Sequence, residues 1–321
     1  MKQSVNVLFA FLLSISLLAA CGSNENGMKE KEQKNGEVNQ EQSSESVTLK
    51  DALDNEVTLE KRPEKIVSLI PSNTEILFNL GLDKEVVGVT DFDNYPEEAT
   101  KKEKVGGMEF NVEKIISLKP DLVLAHESSA KSAEEGLNQL RNAGVTVYIV
   151  RDAANFEKLF TTIENIGVLV GKKEDANKTV SEMKSKLEDI KEKTSTVSEK
   201  KKVYVEVSPA PEIYTTGKNT FIDEILSLVN AENVVTEEGW VQTNQESVIQ
   251  SNPDVIITTY GYYSENPKEQ VMSREGWQGI AAVKHGNVYD VHSDLVTRTG
   301  PRLGEGVEEI AKSIYPELFT E

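Results

Sequence analysis

Two stretches of the chain share nearly the same pattern of polar and apolar positions. Residues 111–124 read NVEKIISLKPDLVL, and residues 244–257 read NQESVIQSNPDVII. In each, asparagine stands two residues before glutamate, Pro-Asp follows seven residues after that glutamate, and an aliphatic run closes the stretch. An asparagine N-cap, a carboxylate in the first turn, a proline stop and a continuous apolar run predict a helix followed by a strand buried on both faces. Two such units, about 130 residues apart, predict two similar lobes.

Strand and helix patterns alternate on both sides of a long helical segment. A hairpin over 47–60 and a strand over 66–70 open the first alternation, and a strand over 203–207 opens the second. Ser72 to Glu75 fits a capping box for the first helix after strand 66–70. Between 156 and 197, apolar residues keep helical spacing and charged residues fill the other face. Alternating strands and helices predict an α/β class with parallel sheets.

The first 46 residues have a different pattern. A basic start precedes an apolar stretch over 5–20, and Leu-Ala-Ala then leads into Cys21, the only cysteine of the chain. This is typical of a secretory signal peptide, and sixteen apolar residues are few for a membrane span. The Leu-Ala-Ala-Cys sequence resembles a bacterial lipobox, whose diacylated cysteine gives stable anchoring. We expect a signal peptide over 1–20, lipidation of Cys21, a disordered tether over 21–46 and a position on the extracytoplasmic face of the cell membrane.

Composition and missing motifs restrict the function classes. A chain of 321 residues with 38% hydrophobic content can form two folded lobes, and a net charge of −19 argues against nucleic acid as a partner. The chain has no Gly-x-Ser-x-Gly elbow and no His-Glu-x-x-His, which disfavours a surface hydrolase, the remote alternative. It also has no P-loop for nucleotide hydrolysis. A carrier of free metal needs clustered histidines and carboxylates, whereas the chain has only three histidines, two of them near each other in sequence and one far away.

Several motifs resemble the class III substrate-binding proteins of ABC importers, which carry cobalamin, ferric siderophores or haem. The motifs are IVSLIPSNTE at 66–75, NVEKI at 111–115, LKPDLV at 118–123, and the segment from Asp294 through Arg298 to Pro301-Arg302. The similarity covers about residues 57–316 and is greatest to the cobalamin-binding branch. It implies two similar α/β lobes with parallel sheets, joined by a long rigid helix, and a ligand cleft between the lobes. With the patterns above, this predicts lobes over 47–155 and 199–321, joined by connecting helices over 156–198.

The resemblance also implies a biochemical role and partners. The chain is expected to be a monomeric carrier rather than an enzyme, with no cofactor or metal of its own, although its ligand may carry cobalt or iron. Its partners would be a corrinoid or iron-chelate ligand and an ABC permease dimer with separate ATPase subunits. Glu113 and Glu246 match the carboxylates that dock on arginines of the two permease subunits. The repeat alone favours the simpler explanation that both are carboxylates interacting with a helix dipole.

The resemblance and the loop positions together predict a set of ligand-binding residues. These are Phe92, Met108, His126, Trp240, Tyr260, Asp294 and Arg298. His126 stands where the cobalamin branch has tryptophan, and Met108 or Gly107 replaces another, so His126 and Met108 are alternatively axial ligands of haem iron. Tyr260, with Tyr262 and Tyr263, is expected at the cleft edge. A ferric siderophore remains an alternative ligand, because such carriers often use cleft arginines, and this chain has Arg274, Arg298 and Arg302.

Overall fold

The structure is a computed structural model that describes residues 46–320. The predicted signal peptide, Cys21 and residues 21–45 of the predicted tether lie outside the described residues. No helix within residues 46–320 is both long and apolar enough to cross a membrane.

The N-lobe is built on a five-stranded parallel sheet with the strand order β5-β4-β3-β6-β7. A separate antiparallel hairpin, β1-β2, precedes it. The elements are β1 Val47–Lys50, β2 Glu56–Leu59, β3 Ile66–Ser68, α1 Pro71–Asn79, β4 Val86–Val89, α2 Glu97–Thr100, β5 Glu103–Lys104, α3 Val112–Leu118, β6 Leu122–His126, α4 Glu127–Ala130, α5 Glu134–Asn142 and β7 Thr146–Val150.

Two helices connect the lobes, α6 Phe156–Leu169 and α7 Lys173–Ser195, with left-handed Gly171 between them. Helix α7 is fixed to both lobes. Thr179 donates a hydrogen bond of 2.7 Å to the Asn79 side chain of α1. At the other lobe, Lys186 forms an ion pair of 2.7 Å with Glu308.

The C-lobe is built on a six-stranded sheet with the order β11-β9-β8-β12-β13, and β10 pairs with β8. The elements are β8 Lys202–Ser208, β9 Tyr214–Thr216, α8 Phe221–Leu228, β10 Glu232–Asn233, β11 Trp240–Gln242, α9 Gln245–Ser251, β12 Val255–Thr258, α10 Pro267–Met272, α11 Ala281–His285, β13 Val288–Asp290, α12 Ser293–Thr297 and α13 Leu303–Ile314, with short 3-10 helices at Trp277–Gly279 and Pro316–Leu318.

The C-lobe sheet is mixed, which corrects the expectation of parallel strands throughout. Strands β8, β10, β12 and β13 are parallel, whereas β9 is antiparallel to both β8 and β11. The connection from Ser208 to Tyr214 is too short for a crossover, so the two strands must form a hairpin.

One apolar core cluster runs through both lobes and the connecting helices, and each lobe has a smaller core cluster of its own. The shared cluster includes Leu77 of α1, Ile163 of α6, Met183 of α7, Val205 of β8 and Ile310 of α13. Because the connector packs into this shared core, relative movement of the lobes must disturb buried contacts.

The two repeated stretches fold alike. The side chains of Asn111 and Asn244 cap α3 and α9, each accepting a backbone N–H three residues later at 2.9 Å. Each helix ends at a left-handed residue, Lys119 or Asn252. The prolines were therefore not the stop signals themselves, since the left-handed turn precedes each of them.

The same equivalence holds for the strands that follow. Asp121 accepts the backbone N–H of Lys65, which precedes β3, at 3.0 Å. Asp254 accepts that of Lys202, at the start of β8, at 2.9 Å. Strands β6 and β12 then pair with β3 and β8, and every residue of both is buried. The predicted pair of similar lobes is confirmed.

The capping box predicted over Ser72–Glu75 is wrong. Helix α1 begins at Pro71, its N-cap is Ile70, and no side chain caps it. Proline is favoured at the first helical position because it has no N–H to leave unsatisfied. Glu75 consequently lies in the second turn, with its side chain only 2% exposed.

Candidate ligand-binding cleft

Loops at the carboxyl ends of the parallel strands carry most of the candidate ligand contacts. Phe92 follows β4, His126 ends β6, Tyr260 follows β12 and Asp294 follows β13. In open α/β sheets, ligands bind at this end of the strands. Residues of both lobes line a cavity of about 220 Å³ there, namely Ile70, Pro71, Ser72, His126, Ser128, Asp152, Thr297, Arg298 and Thr299.

Phe92 is an exposed aromatic residue that a neighbouring glycine accommodates. Its ring is half-exposed, and its backbone N–H donates to the Thr90 hydroxyl. A Cβ atom added at Gly107 would lie 3.1 Å from Phe92 Cζ. Glycine at 107 therefore leaves room for the ring in its present position.

Trp240 opens edge strand β11 and is 62% exposed. It pairs with Thr216 of β9, so Tyr214, two residues away on that strand, projects from the same face. An exposed tryptophan with a diagonal tyrosine is an apolar surface that is open to a ligand.

Tyr262 and Tyr263 form an exposed pair after β12. Their ring centroids lie 4.7 Å apart in an edge arrangement, and the Tyr262 ring lies 6.2 Å from that of His292. The pair presents two exposed phenol groups, one of them beside the His292 ring.

The structure corrects the prediction that Tyr260 lies at the cleft edge, because its side chain is fully buried. Its hydroxyl donates to Glu206 Oε1 at 2.7 Å. Burial, and secondly the charge of Glu206, raise the pKa of Tyr260 well above its usual range, so the hydroxyl remains a donor. Tyr260 thus supports the turn that carries Tyr262 and Tyr263 from beneath.

A network of five residues joins the lobes, and we call it the interlobe network: Glu75, Asn94, Asp294, Arg298 and Arg302. Arg302 binds both Glu75 oxygens, at 2.9 and 2.7 Å, and Arg298 Nη1 lies 3.1 Å from Glu75 Oε1. Arg298 also donates to Asn94 at 2.7 Å and pairs with Asp294 at 3.0 Å. The Asn94 amide donates to Asp294 at 2.9 Å.

Two predicted ligand-binding residues therefore belong to this network. The side chains of Asp294 and Arg298 are 16% and 14% exposed, and Arg298 also lines the cavity. As ligand contacts both remain predictions. Sequence reasoning missed Glu75, whose two arginine partners lie more than 200 residues away.

The third arginine is also paired. Arg274 binds fully buried Glu206 through two hydrogen bonds of 2.7 and 2.8 Å, and its guanidinium lies 4.2 Å from the Trp277 ring centroid. All three arginines considered for siderophore binding thus have an interior carboxylate partner.

His126 is buried, and its Nδ1 accepts the Ser128 backbone N–H at 3.3 Å and lies 2.9 Å from the Ser128 hydroxyl. An accepting Nδ1 carries no proton, so the neutral ring is protonated at Nε2, 3.9 Å from Asp152. Burial lowers the pKa of His126, which favours this neutral form. Neither nitrogen then offers a free lone pair to iron.

The other candidate iron ligands are placed differently. His292 Nδ1 accepts the Asp294 N–H at 3.2 Å, as in His126. Met108 is 84% exposed, whereas His126 is buried. Within residues 46–320, no group of three or more His, Cys, Asp or Glu side chains is arranged to hold a metal ion.

Comparison with known proteins decides the family. The sequence profile of the periplasmic binding protein family matches residues 66–295. The chain belongs to this family. It is accordingly a binding protein rather than an enzyme, as the resemblance implied.

Three similar proteins show how far this likeness extends. The ABC transporter substrate-binding lipoprotein YvrC of Bacillus subtilis is 49% identical over the full length of both chains. A cobalamin-binding protein of Halobacterium salinarum is 28% identical, over 84% of this chain and 74% of its own. A crystal structure of a possible iron-binding, periplasmic solute-binding protein from Staphylococcus epidermidis is 38% identical, with a TM-score of 0.73, and covers 79% of this chain and 100% of its own.

In this periplasmic binding protein, the two glutamates of the repeat occupy equivalent places. Glu113 lies in the first turn of α3 and Glu246 in the first turn of α9, and both side chains are exposed. Neither side chain forms a hydrogen bond or ion pair with any residue in 46–320. Both carboxylates are consequently available to a partner.

Proposed function

We propose that this periplasmic binding protein captures a corrinoid such as cobalamin and delivers it to an ABC importer. The observation that carries the proposal is the character of the cleft. The predicted ligand-binding residues include exposed aromatic rings, Phe92 and Trp240 among them, while Arg274, Arg298 and Arg302 are paired with carboxylates. A large, flat macrocycle fringed with amides suits aromatic faces and a few fixed polar groups.

The pairing of the arginines argues against a ferric siderophore. An anionic iron chelate would have to compete with Glu75 for Arg298 and Arg302, and Arg274 is held by Glu206. Removing a guanidinium from a buried carboxylate leaves that carboxylate uncompensated, which is costly. The name of the Halobacterium salinarum relative agrees with a corrinoid ligand.

Haem is the second candidate, because Tyr262 and Tyr263 are exposed phenols, and tyrosine can be an axial ligand of haem iron. The hydrogen bonds accepted by His126 and His292 argue against histidine ligation. The Staphylococcus epidermidis protein is described as possibly iron-binding, which agrees with an iron-containing ligand such as haem.

Titration of the purified protein separates these ligands. Cyanocobalamin, haemin and a ferric hydroxamate are added in parallel, and binding is followed by absorbance and calorimetry. We expect saturable binding of cyanocobalamin with one site per chain. Tight haemin binding with a shifted Soret band that is lost in Tyr262→Phe/Tyr263→Phe, without cobalamin binding, would replace the corrinoid by haem.

Delivery requires anchoring and docking. We propose that lipidated Cys21 anchors the chain on the extracytoplasmic face of the membrane and that residues 21–46 form a tether. The similar Bacillus subtilis protein, which is named as a lipoprotein, supports this proposal. Cys21→Ser should release the protein into the medium, whereas Ser23→Ala should leave it in the membrane fraction. Membrane retention of Cys21→Ser would refute lipid anchoring.

We further propose that Glu113 and Glu246 dock on cationic side chains of the two permease subunits. Complementary charges fix the register of such a contact more than they add affinity. Replacing both by Ala should abolish uptake while the ligand Kd stays within about threefold. A large loss of ligand affinity would instead place them in the cleft. The exposed Glu192 of α7 is a matched control.

A further inference from the structure

Two exposed isoleucines occupy the same position in the repeated helices. Ile116 of α3 is 38% exposed and Ile249 of α9 is 39% exposed. Each follows its glutamate, Glu113 or Glu246, by three residues. Residues three apart lie on one face of a helix, with Cβ atoms about 5–6 Å apart. Each lobe therefore presents a neighbouring carboxylate and isoleucine, which we call a Glu–Ile pair.

The isoleucines are not the residues that hold these helices on their lobes. Ile115 and Val248, which immediately precede them, are 0% and 2% exposed and belong to the two lobe cores. A single exposed isoleucine is ordinary on a protein surface. The same residue occupies the same exposed position in both lobes, each time next to a carboxylate that has no partner among residues 46–320, and this points to one shared surface.

We propose that the two Glu–Ile pairs are equivalent contact units for one partner with two equivalent subunits. That partner is the permease dimer, so the inference rests on the proposed function. Each subunit would present a cationic side chain next to an apolar socket. The carboxylates then set orientation through charge complementarity, and the isoleucines supply buried contact that salt does not screen.

The chemistry of each Glu–Ile pair favours the permease dimer as the partner. A purely charged contact would be weak and salt-sensitive, because exposed ion pairs contribute little. A second copy of this chain is disfavoured, since it would bring together two molecules that each carry a net charge of −19. A partner with cations beside apolar groups matches both members of each pair.

The test uses the full-length chain in cells of its source bacterium. A photo-activated amino acid replaces Ile116, Ile249, Glu113 or Glu246 in turn, and cross-linked products are identified by mass spectrometry. We expect all four positions to capture the same multi-spanning permease subunit. Leu53, 54% exposed on the β1-β2 hairpin, is the control position and should not capture it.

A second measurement gives the size of the effect. Ile116→Ser/Ile249→Ser should lower the initial uptake rate of labelled cyanocobalamin at least about tenfold, with an unchanged ligand Kd. Leu53→Ser should transport normally. Capture from the glutamates but not the isoleucines, or full uptake by the isoleucine variant, would overturn the inference while the proposed docking stands. Failure of every position to capture a permease would overturn the proposed function itself.

Discussion

The interlobe network makes a quantitative prediction about Glu75. Its carboxylate accepts three hydrogen bonds from Arg298 and Arg302, and it is the only acidic side chain of the N-lobe in the network. Glu75→Ala removes the charge that both guanidinium groups share. Two cations on the opposite lobe would then face each other without this counterion.

The magnitude follows from what remains around each arginine. Breaking a buried ion pair by removing one partner costs about 3–5 kcal/mol. Arg298 and Arg302 are 14% and 17% exposed, and Arg298 keeps Asp294 at 3.0 Å. Arg302 keeps the Tyr95 ring, whose centroid lies 3.7 Å from its guanidinium carbon. These residual partners favour the lower end, about 3 kcal/mol.

Urea unfolding followed by circular dichroism measures this loss. Glu75→Ala should lower the free energy of unfolding by about 3 kcal/mol at unchanged m value, whereas Glu192→Ala, on the exposed face of α7, should change it by less than about 0.5 kcal/mol. Adding Arg302→Ala to Glu75→Ala should cost less than Arg302→Ala alone, because the partner is already gone. A loss below about 1 kcal/mol, with additive effects, would refute the claim that this buried pair holds the lobes together.

Three further predictions concern the cleft. Trp240→Ala should weaken cyanocobalamin binding by about 1–3 kcal/mol in calorimetry, because one aromatic contact is lost. The free energy of unfolding should not change, since the ring is exposed. An unchanged Kd would remove Trp240 from the site. Gly107→Ala should raise the Kd several-fold by displacing the Phe92 ring, and this effect should vanish in a Phe92→Ala background; the control Gly279→Ala has open space around its new methyl group. The lowered pKa of His126 means that the unfolded state binds a proton more readily, so stability should fall as the pH drops below about 6.5. His126→Gln should reduce this fall in urea unfolding between pH 7.5 and 5.5, and an unaltered pH profile would contradict it.

Local sequence signals determined the repeated helix–strand units. An asparagine cap acts on a backbone N–H three residues away, and a continuous aliphatic run marks a strand with two buried faces. Both depend on neighbours along the chain. That is why α3, β6, α9 and β12 were predicted in the right places, and the helical spacing after Phe156 predicted α6 and α7 for the same reason.

Side-chain partners across the fold were decided only by the tertiary structure. The hydrogen bonds between Glu75 and its arginines span 223 and 227 residues, and Tyr260 reaches Glu206 from another strand. Sequence spacing indicates the face of an element on which a residue lies, but not the residue that packs against that face. Capping-box spacing at Glu75 and an aromatic run at Tyr260 therefore suggested surface positions. In the structure both side chains are instead buried, and each is paired with a charged residue that is distant in the sequence.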